Sequence, residues 1–386
     1  MKKLDYLPFG KPDFNGGEIG AVERILKTGW VGMGPETIAF EEELAEYFKC
    51  HSVVTVSSCT AALTLALKVS DVAEGDEVIC PSLTWCSTAN AVIYNQGIPV
   101  FCDINPTTMS ASTDTILEKI TERTKAVIVV HYGGLALDVK KLKQRLPRSI
   151  VVIEDAAHAL GAKYPDGNPV GSAGNLTCFS FYANKNLATG EGGAIAVPSQ
   201  ELDNELRSLR LHGLAVDAWK RFSHPNSLLS GEIYKLGYKM NYTDLQAAIG
   251  RVQLKRQGEF FAKRLELAEY YRDTLSEFDN LSFQDSMLEP RHARHLVVAL
   301  LPIESMSISR NDFIIKLREK MIGASIHYAP LHLMSFYATH YRCTSLPATE
   351  RIYERTITLP ISSSMTLDDA YSVVEQFSNL LKTSVI

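Results

Sequence analysis

Lys185 sits in the stretch Phe179 to Gly193, FSFYANKNLATGEGG, between two strand-like runs. Phe179, Phe181 and Tyr182 crowd it on one side. Gly190, Gly192 and Gly193 follow, a pattern that suits unusual backbone angles or a close approach. A single loop lysine is ordinarily a solvated charge. One held among bulky side chains loses hydration, and its amine then deprotonates more easily and can act as a nucleophile. Asp155 follows the apolar run Ile150 to Glu154, either as a cap or ion-pair residue or as a carboxylate turned to a ligand. Ser57-Ser58-Cys59-Thr60 joins the run Val53 to Val56 to the helix former Ala61 to Lys68. Free N–H groups and the helix dipole make such a junction a place for an anion. N-capping by Ser58 or Thr60 explains the same residues. Trp85 offers core packing or a flat surface for a flat ligand. Amine, carboxylate, anion seat and flat ring, with Ser180 beside the lysine, together match the needs of pyridoxal phosphate. That cofactor takes a lysine for its Schiff base, a carboxylate on its ring nitrogen and an N–H cradle for its phosphate.

The elements that must position these residues alternate in type. Val53–Val56, Glu77–Cys80, Val100–Asp103, Ala126–Val130 and Ile150–Glu154 read as strands. Ala61–Lys68, Ser87–Tyr94, Ile116–Ile120 and Val139–Leu146 read as helices. This rhythm predicts an α/β fold with a mostly parallel sheet covered by helices on both faces. Ligands in such sheets sit beyond the carboxyl ends of the strands, where Ser57, Trp85, His131, Asp155 and His158 all fall. Upstream, Gly29 to Pro35 (GWVGMGP) separates two helical runs. It is either an apolar loop plug or the lip of a site carrying Trp30 and Met33. Downstream, the polar stretch 216–236, with Trp219, Lys220, Arg221, His224 and Tyr234, reads as a substrate-covering loop. The expected division is a large domain over residues 1–245, including an extended lead-in, and a smaller α/β domain over 246–386. In the latter, His295–Leu301 and Ser325–Tyr328 read as strands and Arg310–Lys320 and Leu367–Leu381 as helices.

Bulk properties narrow the function class. The 386 residues are 46% hydrophobic and 22% charged, as expected of a soluble globular protein. A net charge of -5 gives no reason to expect nucleic-acid or membrane partners. Seven scattered cysteines, none in CxxC spacing, signal neither a metal site nor a redox pair and suit reduced thiols in the cytoplasm. No apolar run approaches the roughly 20 residues of a membrane helix, and no signal-peptide core is present.

FSFYANKNLATGEGG, EDAAHALGA (Glu154 to Ala162), SSCTAAL (Ser57 to Leu63), PSLTWCSTANA (Pro81 to Ala91) and GYKMNYTDLQAAIG (Gly237 to Gly250) together resemble the DegT/DnrJ/EryC1/StrS sugar aminotransferases. That resemblance implies fold type I, with a seven-stranded, mostly parallel sheet in the large domain. It implies pyridoxal phosphate as cofactor, Lys185 as the Schiff-base lysine and proton carrier, Asp155 on the ring nitrogen and Trp85 stacked on the ring. His158 is expected near the 3-hydroxyl side, and Cys59, Thr60 and Ser180 at the phosphate, with Ser58 in the same turn. Asn241 is expected to reach the phosphate of a neighbouring subunit, making the active unit a homodimer with shared sites. His327 and Tyr328, in SIHYAPLH, and Trp30 and Met33 are candidate substrate contacts. GWVGMGP, LTW, HYGG, LHGLAVDAWKR and YKMN resemble the members that aminate C-4 of nucleotide-linked keto sugars, with L-glutamate as the implied donor. C-3 amination, and a cofactor-bound regulator without turnover, are the alternatives. The chain departs from the common family pattern at Cys59, where glycine is frequent, at Asn184, at Lys239 and Asn241, and at Arg294, where tryptophan is frequent.

Overall fold

The computed structural model describes residues 6–214, 232–233, 235–285, 287–341 and 344–385. Trp219, Lys220, Arg221, His224 and Tyr234, and with them most of the expected covering loop, lie outside the described residues. The main sheet has seven strands: β1 (Ser52–Val56), β2 (Glu77–Pro81), β3 (Ile98–Cys102), β4 (Thr124–Val130), β5 (Val151–Asp155), β6 (Leu176–Ser180) and β7 (Gly193–Val197). Their order is β1-β7-β6-β5-β4-β2-β3, and only β7 runs against its neighbours. Successive side chains enter opposite faces, as strand geometry requires. Val53, Val127, Val129, Val152, Ala194 and Ala196 join one buried core, while Val54, Ala126, Ile128, Ile153, Ile195 and Val197 join the other. Both faces are therefore dry, and the strands read as continuous apolar runs.

A second sheet holds β8 (Ser282–Phe283), β9 (Val297–Leu300) and β10 (Thr356–Leu359) in the antiparallel order β10-β9-β8. Its Val297, Ala299, Ile357 and Leu359 pack with Leu267, Phe313, Val373 and Phe377 from covering helices. The other side of β9 (Leu296, Val298, Leu300) packs on Leu83, Val130 and Tyr132, at the carboxyl edge of the main sheet. The expected strand Ser325–Tyr328 is a single bridge, Ser325 to Thr358. The second partner of β9 is instead Thr356–Leu359, a run too short and too close to a helix to stand out by periodicity. Helix Asp244–Lys255 sends Ala247 and Leu254 into the main core, whereas helix Gln257–Leu275 sends Leu267, Tyr271 and Leu275 into the second. The change of core thus falls between Lys255 and Gln257, while the sequence places the division after residue 245. The lead-in also joins the second unit: Leu7 exchanges backbone bonds with Met321 and Gly323. No described helix is long and apolar enough to cross a membrane.

Two buried carboxylates tie the N-terminal helices to this frame. Asp244 accepts hydrogen bonds from Gly34 N (2.8 Å), Thr37 N (2.9 Å) and Thr37 Oγ1 (2.6 Å), capping helix Pro35–Phe48 from another element. A Cβ at Gly34 would lie 2.2 Å from the Trp30 indole nitrogen, so this close approach admits only glycine. Glu41 accepts from Thr55 N (2.9 Å) and Thr55 Oγ1 (2.7 Å) and pairs with Arg207 and Arg210. Burial pushes its carboxyl up, but Arg210, Arg207 and Thr55 outweigh burial and hold it at about 2, below the ordinary 4.5. Between those values the unfolded chain binds a proton that the folded chain refuses. The stabilisation is therefore complete above pH 4.5 and is lost as pH falls toward 2. Glu41→Gln, which leaves two cations facing a neutral amide, is expected to cost about 3 kcal/mol at neutral pH. Urea denaturation across a pH series checks both points: the wild-type advantage over Glu41→Gln should shrink through that acid window.

Candidate active site

The carboxyl ends of β1, β2, β4, β5 and β6 converge on a cavity of about 500 Å³. Ser58, Cys59, Thr60, Trp85, Asp155, His158, Ser180, Lys185, His327 and Tyr328 all line it, together with Thr84, Ser87, Tyr182, Asn184, Glu191 and Gly192. Residues scattered along the chain thus meet on the predicted edge.

Asp155 ends β5 and is 5% exposed. Its Oδ2 accepts from Thr88 Oγ1 (2.8 Å) and its Oδ1 from Ala157 N (3.1 Å). Because Thr88 donates to the carboxylate, the 2.9 Å contact between Thr84 and Thr88 has Thr84 as donor. Burial raises the Asp155 pKa from its ordinary 3.8, against the pull of Thr88, Ala157 N–H and the charge of Lys185. A carboxylate in this state gains from a further cation, as a protonated pyridine nitrogen would provide.

Lys185 is half-buried, and its backbone N–H closes a turn onto Tyr182 O at 2.9 Å. The surroundings of its amine strip enough water to pull the pKa from 10.5 to about 8. The Asp155 carboxylate opposes that fall, and the buried Arg264 guanidinium reinforces it. Lys185 Nζ lies 3.4 Å from His295 Nε2.

The phosphate seat is the start of helix Cys59–Lys68. Ser58 Oγ accepts from Ala61 N at 3.1 Å, so its side chain performs the capping that the sequence left open. The N–H groups of Cys59 and Thr60 have no acceptor within the helix. A Cβ on Gly193 would come within 2.6 Å of Ser58 C and 2.7 Å of Cys59 N, so β7 can press against this turn only as glycine. Cys59 does not have positive φ, so the turn takes a side chain there without strain. Its thiol, which burial and then Asp155 push well above 9, stays neutral. Trp85 is 60% exposed and tilts toward Tyr328, with ring centroids 5.6 Å apart, leaving a free aromatic face.

His158 Nδ1 accepts from Gly133 N (3.3 Å), so its ring proton sits on Nε2, 3.0 Å from the Tyr328 hydroxyl. Burial, then the charge of Lys185, pushes its pKa well below 6.5. His327 falls to about 3 by burial and then Lys185, and its Nδ1 meets Thr358 Oγ1 at 2.9 Å. The histidines around the lysine are neutral at physiological pH.

Four expected residues stand elsewhere. His131 is fully buried; it accepts from Leu137 N and holds Glu154 at 2.8 Å, so it supports the strand end and does not line the cavity. Trp30 and Met33 do not line it either. The Trp30 indole donates to Met33 O (3.2 Å), and the loop packs on the Asp244 cap. Asn241 bridges Val56 and donates to Tyr242 O at 2.9 Å, outside the cavity of its own chain. Arg294 is fully buried over Phe261, at 4.9 Å, and donates to the carbonyls of His292, Leu288 and Glu289. Thr88, Asn186 and His295 were not singled out from sequence. Thr88 is legible one helical turn after Trp85, in line with the end of β5, but Asn186 and His295 meet only through folding.

A parallel sheet with one reversed strand, a half-buried lysine and a buried aspartate at its carboxyl edge and a helix N-terminus between them define a fold type I pyridoxal-phosphate enzyme. The cavity fits that cofactor: Asp155 lacks a full countercharge, the helix start offers N–H donors and Trp85 offers an open face. The chain belongs to the DegT/DnrJ/EryC1/StrS aminotransferase family, which it matches over residues 12–378, and it is a pyridoxal-phosphate-dependent aminotransferase. It is 38% identical over 386 residues to the spore coat polysaccharide biosynthesis protein SpsC of Bacillus subtilis, covering 99% of each chain. The aminotransferase TlmJ from Streptoalloteichus hindustanus superposes with a TM-score of 0.89 at 32% identity, covering 98% of this chain and 99% of TlmJ. Spr1654 from Streptococcus pneumoniae, designated a sugar aminotransferase, superposes in its PLP form with a TM-score of 0.88 at 29% identity, covering 98% and 99%.

Thr88→Val removes one of the two donors that keep Asp155 ionised. The expected result is cofactor affinity weakened by about fivefold, the equivalent of one net hydrogen bond. The loss should grow as pH falls, because Asp155 then protonates sooner. Equilibrium dialysis of the cofactor-free protein against pyridoxal phosphate reads it; an unchanged Kd at all pH values contradicts the role given to Thr88.

Proposed function

We propose that the protein transfers an amino group, from L-glutamate, to C-4 of a nucleotide-linked keto sugar to make an aminodeoxy sugar. The observation that carries this reading is the single cavity that joins Lys185, Asp155 and the start of helix Cys59–Lys68. Similarity to SpsC, a polysaccharide biosynthesis protein, and to Spr1654, designated a sugar aminotransferase, supports the sugar. When bound, pyridoxal phosphate supplies an electron sink and an amino-group carrier. Lys185 is the lysine that holds it and, once released, moves a proton between substrate carbon and cofactor. A pKa near 8 leaves a useful fraction of its amine uncharged near neutral pH. Asp155 keeps the ring nitrogen protonated. Cys59 and Thr60 N–H groups and Ser180 hold the phosphate, with the Ser58 cap fixing their turn. Trp85 covers one ring face, and His158 stands near the 3-hydroxyl side. His327 and Tyr328 line the part of the cavity left for the sugar.

The working unit in this reading is a cytoplasmic homodimer, in which Asn241 reaches the partner's phosphate seat rather than its own. Its place beside the end of β1, outside its own cavity, is compatible with that role. In this reading the cofactor-binding domain supplies most of the cavity lining, and the smaller C-terminal domain adds His327 and Tyr328.

Assays across UDP-, dTDP- and GDP-linked keto sugars with glutamate, read by 2-oxoglutarate release and product NMR, test the reaction. One nucleotide class should turn over and carry its new amine on C-4. An amine on C-3 contradicts the regiochemistry, and no 2-oxoglutarate from any pair leaves a regulator. Lys185→Ala should lose at least about 10³-fold in turnover, with retained thermal stability of the chain as the control.

A further inference from the structure

His295 lies just before β9, 2% exposed, and was not among the residues assigned to the chemistry. Its Nε2 is 3.4 Å from Lys185 Nζ, and its Nδ1 is 3.3 Å from Asn186 Oδ1. The orientation of the Asn186 amide is settled by its other contacts. Nδ2 donates to Ala293 O at 3.0 Å and toward Leu160 O at 3.4 Å, so the amide oxygen is the atom turned to the imidazole. Gln257 Nε2 holds the Asn186 carbonyl at 3.0 Å, which anchors the backbone beneath it. An amide oxygen only accepts, so the ring proton of His295 sits on Nδ1.

The ring is neutral. Burial pushes the His295 pKa well below 6.5, and the charges of Lys185 and Arg264 act in the same direction, while the His158 ring faces it with centroids 4.5 Å apart. Nε2 therefore carries a bare lone pair, aimed at the lysine. A neutral lysine amine has two N–H bonds and one lone pair. Facing an acceptor that cannot donate, it must present an N–H to His295, and its own lone pair is then turned away, toward the cavity.

We infer that His295 is a positioning residue, locked by Asn186 as an acceptor, that turns the nucleophilic lone pair of Lys185 toward the cofactor. The inference rests on Lys185 being the lysine that holds the cofactor.

The tautomer is read directly by ¹⁵N-histidine NMR of the cofactor-free protein, with the His295 signal assigned by its loss in His295→Gln. Protonated Nδ1 and bare Nε2 are expected; the opposite tautomer overturns the proposal whatever the kinetics. The positioning is read by stopped-flow uptake of pyridoxal phosphate into cofactor-free protein as a function of pH, followed as the visible absorption of the lysine-bound cofactor. For the wild type, the rate should rise with pH and level off above about 8, the pKa of Lys185. His295→Phe keeps the bulk but removes the acceptor, and its plateau rate should fall about tenfold. It should also shift the midpoint acidward, because the ammonium form loses its acceptor. His295→Gln restores an acceptor oxygen and should recover a large part of the plateau. A merely structural role predicts weaker folding with an unchanged profile, so an unchanged plateau and midpoint in a folded His295→Phe overturns the proposal. Lys185→Ala separates the two claims. Uptake that persists in it removes the lysine assignment and the proposal together. Uptake lost there, with an unaltered His295→Phe profile, removes the proposal alone.

Discussion

A carboxylate buried at a strand end needs compensation, and the site is built around that constraint. Asp155 sits where β5 leaves the sheet, too deep for water to solvate it fully and held ionised by only two direct donors. The nearby positive charge is Lys185, whose own burial favours the uncharged amine. Each group is left short of what it needs, the carboxylate of a cation and the lysine of solvent. A protonated heteroaromatic ring satisfies the first, and covalent attachment to that ring removes the second. The cavity is therefore matched to one kind of guest by electrostatics as much as by shape.

The surroundings keep this balance from being relieved in other ways. His158, His295 and His327 are all driven neutral by burial and by the lysine, so none of them neutralises Asp155 by ion pairing. Arg264, held by the carbonyls of Arg294 and Ile361, adds positive potential at the lysine. The buried polar clusters that carry the frame lie in other places. Glu41 with its two arginines, and Glu154 with His131, Tyr164 and Asn175, hold the strand ends in position without entering the cavity. These polar clusters thus frame a site that is itself short of partners.

Most of this frame was legible in the sequence because it follows from local chemistry. Five apolar runs spaced by helix-forming runs predict the parallel sheet, and the sheet predicts which strand ends meet. Lys185, Asp155, Trp85 and the Ser58–Thr60 turn could therefore be brought together before any coordinates. What stayed hidden depends on long-range pairing. His131 occupies the same kind of strand-end position as Asp155, yet its ring points into the core at Glu154; periodicity cannot distinguish the two. The GWVGMGP loop reads equally well as a plug or a lip, and nothing in its pattern foretells that Asp244 reaches across the fold to hold it outside the cavity of its own chain. His295 and Asn186 carry no local signal at all, since neither has meaning until β9 docks on the main sheet. The third strand of the small sheet, Thr356–Leu359, was missed because its partner, not its pattern, makes it a strand.

The central claim is that Lys185 is the residue that holds the cofactor beside Asp155. Borohydride reduction of the cofactor-loaded protein, followed by proteolysis and peptide mass spectrometry, tests it most directly. The structure predicts a single pyridoxyl group on the peptide containing Lys185, formed at about one per chain. A group found on another lysine, or none at all in protein that has taken up pyridoxal phosphate, would contradict it.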